Sequence, residues 1–176
     1  MGSRPQGHPS SGKSTEYRDE RAAIDDAAAI LEIQYQAYRG EAALYGDVTL
    51  PPQAETLDEL KATFATSVIL KGVTEGVIVG SVRGREADGT CHIGRLTVAP
   101  AYQGRGLGGA LLAAIEKALP HVRRFELLTG HKSLKNQGLY ARRGYVKFRR
   151  QPDADGVTLV FLEKRVDPGS GGPTCR

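Results

Sequence analysis

The 176-residue sequence predicts a mixed α/β fold, with a mostly antiparallel central sheet of about seven strands flanked by helices. Hydrophobic periodicity switches between the helical and the strand repeat along the chain. In the middle, three Val- and Ile-rich runs follow one another with hairpin chemistry between them, which gives an antiparallel stretch. Toward the C-terminal end, single helical segments alternate with strands, as crossover connections do. The expected order is β-α-α-β-β-β-α-β-α-β-β.

The residues justify each element in turn. Residues 1–15 and 167–176 are rich in Gly, Ser and Pro without hydrophobic period. They read as flexible tails, which leaves 16–166 as one folded domain. After an opening strand, Ile24, Ala27, Ala28, Leu31, Tyr35 and Tyr38 form a helical stripe, with Asp25 and Asp26 where the helix dipole favours them. Residues 40–53 read as a loop closed by a Pro51-Pro52 stop. Thr56-Leu57-Asp58-Glu59 is a capping box, so a second helix begins there. Strands follow at 68–71, 76–83 and 91–98, with turn chemistry at Glu75-Gly76 and Asp88-Gly89. Residues 106–119 are helical with Pro120 as the stop. A strand at 125–129, a helix at 133–143 and a terminal hairpin of 145–150 with 157–164 complete the domain.

Composition excludes several classes. Two cysteines, Cys91 and Cys175, make no disulfide framework, and no Cys/His cluster is spaced for zinc, so no metal is expected. No run approaches the roughly 20 apolar residues of a membrane span. The N-terminal segment has no apolar stretch of the kind a secretory signal needs, so a cytoplasmic protein is expected. The net charge is +4, with its densest patch at Arg142, Arg143, Lys147, Arg149 and Arg150. With 6% aromatic residues and no stacking stripe, no nucleic-acid partner is expected. The patch reads as a solvated face or as a basic rim for a phosphorylated small ligand.

Glycine patterns carry the chemistry. Gly7 to Ser14 matches GxxxxGK[ST], yet only six residues precede it and no strand fits there, so a phosphate loop is not expected. Gly104-x-Gly106-x-x-Gly109 matches GxGxxG, but residues 99–103 intervene between strand and first glycine, which is too slack for a dinucleotide fold. Read in full, residues 95–112 are a strand, a turn of small residues and the start of an amphipathic helix. Glycines at 104, 106, 108 and 109 let a phosphate approach the backbone, the helix dipole adds attraction, and Arg105 supplies positive charge. This is a pyrophosphate cradle.

The segment Gln103-Gly104-Arg105-Gly106-Leu107-Gly108 resembles the acetyl-CoA-binding motif of the GNAT superfamily of N-acetyltransferases, and the preceding Leu96-x-Val98-x-Pro100 strand end is in place. Asn136-Gln137-Gly138-Leu139-Tyr140-Ala141-Arg142-Arg143-Gly144-Tyr145 resembles the family's second signature. The element order is similar to the GNAT fold from Glu16 to Lys164. The resemblance implies that strands 91–98 and 125–129 splay apart and that the pantetheine arm of acetyl-CoA lies between them. Backbone groups of Leu96 and Val98 would pair with it. N–H groups from Gln103 to Gly109, those of Gly104, Arg105, Gly106 and Gly108 included, would hold the pyrophosphate, and Asn136 would bond the cofactor from the next helix.

It further implies direct attack of a primary amine on the thioester through a tetrahedral intermediate, whose oxyanion a strand N–H such as that of Val98 stabilises. Tyr140 occupies the family's position for the acid that protonates the leaving thiolate. His92 matches the position of an acidic base in several relatives. Period two puts His92, Gly94, Leu96 and Val98 on one strand face, and an imidazole is suited to the role. Glu86, Glu126, His131 and a water relay are the other options for the base. Glu41, Tyr45 and Asp47 in the first loop, with Asp153 and Asp155 in the last, would meet a cationic acceptor, a small molecule or a protein amine. A homodimer is possible. The rival reading is a catalytically silent acyl-CoA-binding or regulatory domain.

Overall fold

The computed structural model describes residues 16–153 and 156–167. The Gly7–Ser14 pattern, Asp155, Cys175 and the expected tails apart from Asp167 lie outside them. The elements are β1 (Tyr17–Arg21), α1 (Ala27–Ala43), α2 (Pro51–Ala54), α3 (Leu57–Thr63), β2 (Val68–Thr74), β3 (Val77–Ala87), β4 (Thr90–Val98), α4 (Leu107–Ala118), β5 (Arg124–Gly130), α5 (Leu134–Arg142), β6 (Val146–Pro152) and β7 (Thr158–Arg165), with 3-10 turns at Ile24–Asp26 and Pro100–Tyr102.

One seven-stranded sheet runs β1-β2-β3-β4-β5-β7-β6. Every neighbouring pair is antiparallel except β4 and β5. The expected mixed, mostly antiparallel sheet is therefore present. On one face, Ala27, Ile30 and Leu31 of α1 pack with Leu60 of α3 and Ile69 of β2. On the other, Leu111, Leu112 and Ile115 of α4 are buried among Val82, Cys91, Phe125, Leu127, Val160 and Leu162. Each such fully buried aliphatic side chain contributes roughly 1.5–3 kcal/mol, so the α4 face dominates the core.

The helices before β2 depart from the sequence reading. The first turn is 3-10 rather than α, which shifts the phase of the stripe: Ile24 is 51% exposed and Ala28 is also exposed, while Ile33 and Gln34 are buried. The helix then runs through Gly40 to Ala43, because Glu41, Ala42 and Ala43 are good formers and Ala42 finds a buried place. Pro51-Pro52 starts the short α2 instead of ending a loop, since a first helical turn needs no N–H from its proline. The capping box is as expected, with Thr56 N donating to Glu59 Oε2 at 2.8 Å and Glu59 N to Thr56 Oγ1 at 3.2 Å.

Two features of β4 shape the site. Its parallel pairing with β5 covers only Thr90, Cys91 and His92 against Arg124, Phe125 and Glu126, after which the two strands part. Its pairing with β3 steps from Arg83↔Gly94 to Ser81↔Thr97, which leaves an extra residue on β4. Arg95 sits in this bulge at φ +53°. Ile93 and Val98 pair with Gly84 and Gly80, whose Cβ positions would run into Ile115 and Leu111, so both face α4. His92 and Gly94 face the opposite side. The bulge thus breaks the period-two face that the sequence suggested.

Candidate active site

Where β4 and β5 part, a cavity of about 730 Å³ opens. The strands supply Arg95 to Val98 and Leu128 to Gly130 as its walls. The turn from Gln103 to α4 forms one end, and the α5 residues Asn136, Leu139 and Tyr140, with Tyr38 and Glu41 of α1, Tyr45, Pro51 and Pro52, and Asp153, Val157 and Leu159 of the last hairpin, complete the lining.

The glycine end is built for an anion. Gly104 and Gly106 have φ of +75° and +82°, and a Cβ at either would meet no heavy atom within 4 Å, so conformation and not crowding demands glycine. Gly106 is the N-cap of α4, and the first bond of that helix runs from Ala110 N to Gly106 O at 3.1 Å. The N–H groups of Leu107, Gly108 and Gly109 therefore have no partner within the helix and add to its positive end. Gln103 Nε2 donates to Val98 O at 3.0 Å, tying the turn back to β4, so its side chain positions the turn. Gly109 is kept for a different reason, because a Cβ there would stand 2.6 Å from the Arg143 guanidinium. Arg105 lies over the Tyr102 ring at 5.2 Å. Lys135 and Arg142 of α5 line the same cavity.

The basic patch is otherwise dispersed. Arg149 stacks on Phe161 at 3.9 Å, while Lys147 pairs with Leu162 on the next register position.

Tyr140 is only 6% exposed and lies among core residues, with Tyr145 at 6.2 Å ring to ring, yet it reaches the cavity wall. Burial first, then the nearby Tyr38 and Glu41, push its phenol well above the usual value of 10.0. The phenol is therefore protonated through neutral pH. Tyr38 is likewise raised by burial, under the opposing influences of Arg95 and Glu41.

His92 is not brought to this place. It does not line the cavity, its side chain is 41% exposed, and its Nδ1 is 4.0 Å from Glu126 Oε2. The bulge at Arg95 and the closed start of the β4–β5 pair account for that separation from Tyr140. The other base options are also engaged elsewhere. Glu86 meets His121 at 2.5 Å, Glu126 accepts from Arg124 Nη1 at 2.6 Å, and His131 Nδ1 accepts the Thr158 N–H at 3.0 Å.

Glu41 does enter the site, from the last turn of α1 rather than from a loop. Its Oε1 accepts from Ser133 Oγ at 3.1 Å and from Asn136 Nδ2 at 3.3 Å. Asn136, expected to bond the cofactor, is thereby joined to an acidic residue of α1. Tyr45 receives the Lys132 N–H on its hydroxyl at 3.0 Å. Its ring lies so close to Gly130 that a Cβ there would be 1.9 Å from Oη. Asp47 is exposed and outside the lining.

Sequence reasoning missed two residues. In the sequence Tyr38 reads only as part of a helical stripe, and Arg95 gives no signal because a bulge leaves none in an unbroken strand pattern. Among the described residues, no group of three His, Cys, Asp or Glu side chains is arranged for a metal ion, and no helix is long and apolar enough to cross a membrane.

Comparison with known proteins agrees with this architecture. The structure of yncA from Salmonella typhimurium with its cofactor acetyl-CoA is 22% identical, with TM-score 0.70, over 91% of this chain and 99% of that one. The ribosomal-protein-S18-alanine N-acetyltransferase from Escherichia coli is 17% identical, with TM-score 0.70, over 92% and 99%. The paia N-acetyltransferase from Thermoplasma acidophilum in complex with coenzyme A is 14% identical, with TM-score 0.70, over 86% and 99%. No curated protein sequence matches the chain. The profile of the Acetyltransferase (GNAT) family matches residues 27–145, which is more than half of the sequence and spans both glycine turn and Tyr140. With that match on the same residues that build the cavity, the chain belongs to the GNAT acetyltransferase family.

Proposed function

We propose that the protein is an N-acetyltransferase that moves the acetyl group of acetyl-CoA to a primary amine by direct attack, without a covalent enzyme intermediate. The observation that carries this reading is the continuity of one cavity from the unpaired N–H groups of α4, between the parted strands, to the buried phenol of Tyr140. The residues fit the cofactor: a positive helix end bordered by open glycines suits a pyrophosphate, and the gap between β4 and β5 suits an extended arm. Gly104, Arg105, Gly106, Gly108 and Gly109 would hold the phosphates, with Lys135 and Arg142 adding charge at the rim, and Leu96 and Val98 would offer backbone groups to the arm. Val98 O already accepts from Gln103, which leaves its second lone pair for such a bond.

Bound acetyl-CoA supplies an activated thioester, attacked by the amine nitrogen through a tetrahedral intermediate as the carbon–sulfur bond breaks. Tyr140 gives its proton to the departing sulfur. Glu41 is the carboxylate of the site that faces Tyr140, and it receives the ammonium or takes up its proton. His92, on the opposite strand face, acts in this scheme only through water. Cys91 takes no part, since it is fully buried and burial raises its thiol to about 12. A cytoplasmic setting, where acetyl-CoA is made and used, fits the reading.

Calorimetric titration with acetyl-CoA, beside ATP and NAD as controls, tests the cofactor; an amine panel followed by CoA release tests the reaction. Binding of acetyl-CoA alone is expected. Binding without turnover on any amine would favour the silent acyl-CoA-binding domain, whereas turnover untouched in Tyr140→Phe would remove Tyr140 from the chemistry.

A further inference from the structure

The β4 wall of the cavity contains a cation that the protein satisfies only in part. Arg95 lines it, and its Nε is buried without a hydrogen-bond partner. Glu55 Oε2 stands 3.7 Å from that nitrogen. Glu55, however, is already engaged: its Oε1 and Oε2 accept from Arg83 Nη1 and Nη2 at 2.9 and 2.6 Å, and Oε2 also accepts from Gln34 Nε2 at 2.8 Å. Two guanidinium groups thus share one carboxylate, and Arg95 is the one left over. Its backbone is held at φ +53°, a region that side-chain-bearing residues rarely adopt, so the bulge aims this side chain at a conformational cost. A half-buried cation kept in this way is poised for an anion that arrives with a ligand.

Glu41 lines the same cavity; Arg95 and Glu41 act in opposite senses on the phenol of Tyr38, and Glu41 also acts on Tyr140. One cation and one anion thus line the same cavity as Tyr38 and the proposed proton donor. A polyamine would meet Arg95 as a like charge; a zwitterion would satisfy both groups.

We propose that the acceptor is a free amino acid, whose carboxylate is taken by Arg95 and whose ammonium is directed by Glu41 toward the reacting end of the cavity. The assignment rests on the acetyl-transfer reading and deepens it by naming the substrate class.

The experiment compares L-amino acids with their carboxamides and with decarboxylated amines and spermidine, by CoA release and by calorimetry on protein preloaded with CoA. The best amino acid is expected to exceed its own amide by about 10²-fold in kcat/KM, because the amide leaves Arg95 unpaired. Arg95→Gln should bring the two within about threefold by weakening the amino acid alone, and Arg95→Lys should restore part of the preference. Thermal melts check that both variants fold. Spermidine or an amide turning over as well as the amino acid overturns the proposal, as does a preference that survives Arg95→Gln. Arg95-dependent binding of an amino acid without turnover would support the acceptor assignment and refute the catalytic reading. CoA binding with no amino acid bound would refute the acceptor assignment alone.

Discussion

Tyr140→Phe removes one oxygen from the site and nothing else. The ring stays packed in the core, where Tyr140 is 6% exposed and tilted against Tyr145. Folding stability should change by no more than about 1 kcal/mol, because the lost hydroxyl faces a cavity. Acetyl-CoA affinity should stay within about twofold, since the phosphate end of the cavity is built from other residues. The chemical step is different: a thiolate leaving into a half-dry cavity loses its proton donor, and positioned acids of this kind contribute about 10²–10⁴-fold. At 1.36 kcal/mol per decade that is about 3–5 kcal/mol on the barrier. CoA release with the best acceptor gives kcat, and calorimetry gives the acetyl-CoA Kd. Unchanged turnover would refute the donor role, and a large loss of affinity with kcat intact would assign Tyr140 to packing. The pH profile adds a check: because the phenol lies above its usual 10.0 and acts in its protonated form, it stays competent across neutral and mildly alkaline pH. A fall in kcat between about pH 7 and 9 that vanished in Tyr140→Phe would contradict that order.

Four further outcomes follow. Glu55→Gln should cost about 3–5 kcal/mol, seen as a lowered Tm, because it strands Arg83 with its side chain 13% exposed. Glu55 and Asp26 are pushed upward by burial, but hydrogen bonds from Arg83 and Gln34 to one and from Lys71 and Ala23 to the other hold both below their ordinary values of 4.5 and 3.8. Their contribution is full above those values and is lost as pH falls through the lowered folded ones, so denaturant midpoints should drop on acidification below about pH 4.5 and less steeply in Glu55→Gln. Gly130→Ala places a methyl 1.9 Å from Tyr45 Oη and should depress kcat/KM for the acceptor without weakening acetyl-CoA binding; adding Tyr45→Ala should recover part of the loss. In a Cys175→Ser background, Cys91 should resist thiol reagents until the protein unfolds, and Cys91→Ser should keep full turnover.

The glycine turn, the capping box and the succession of strands along the chain were legible because each is written in local chemistry. Gly104 and Gly106 adopt the positive φ that glycine permits, and Thr56 and Glu59 exchange the bonds their spacing implies. Tyr140 was legible through its motif. The acceptor end was not, because it depends on where tertiary packing cuts across local pattern. The run Gly94-Arg95-Leu96-Thr97 looks like any strand, yet the bulge within it turns His92 from the Leu96 and Val98 face and aims Arg95 inward. Likewise Gly40 reads as a helix end, but the burial of Ala42 carries α1 on and delivers Glu41 to the cavity.

The position of β7 has a consequence for how the chain is made. Residues 158–165 lie between β5 and β6, both of which are synthesised earlier. Until β7 has left the ribosome, β6 has no neighbour and β5 only its short pairing with β4, so the half of the sheet that carries Leu128, Thr129 and Gly130 stays open while β1 to β4 can already pair in sequence. A nascent chain halted after β6 would thus present two unzipped edges and no closed acceptor wall, and an early stop codon there would discard the keystone of that half rather than its fringe.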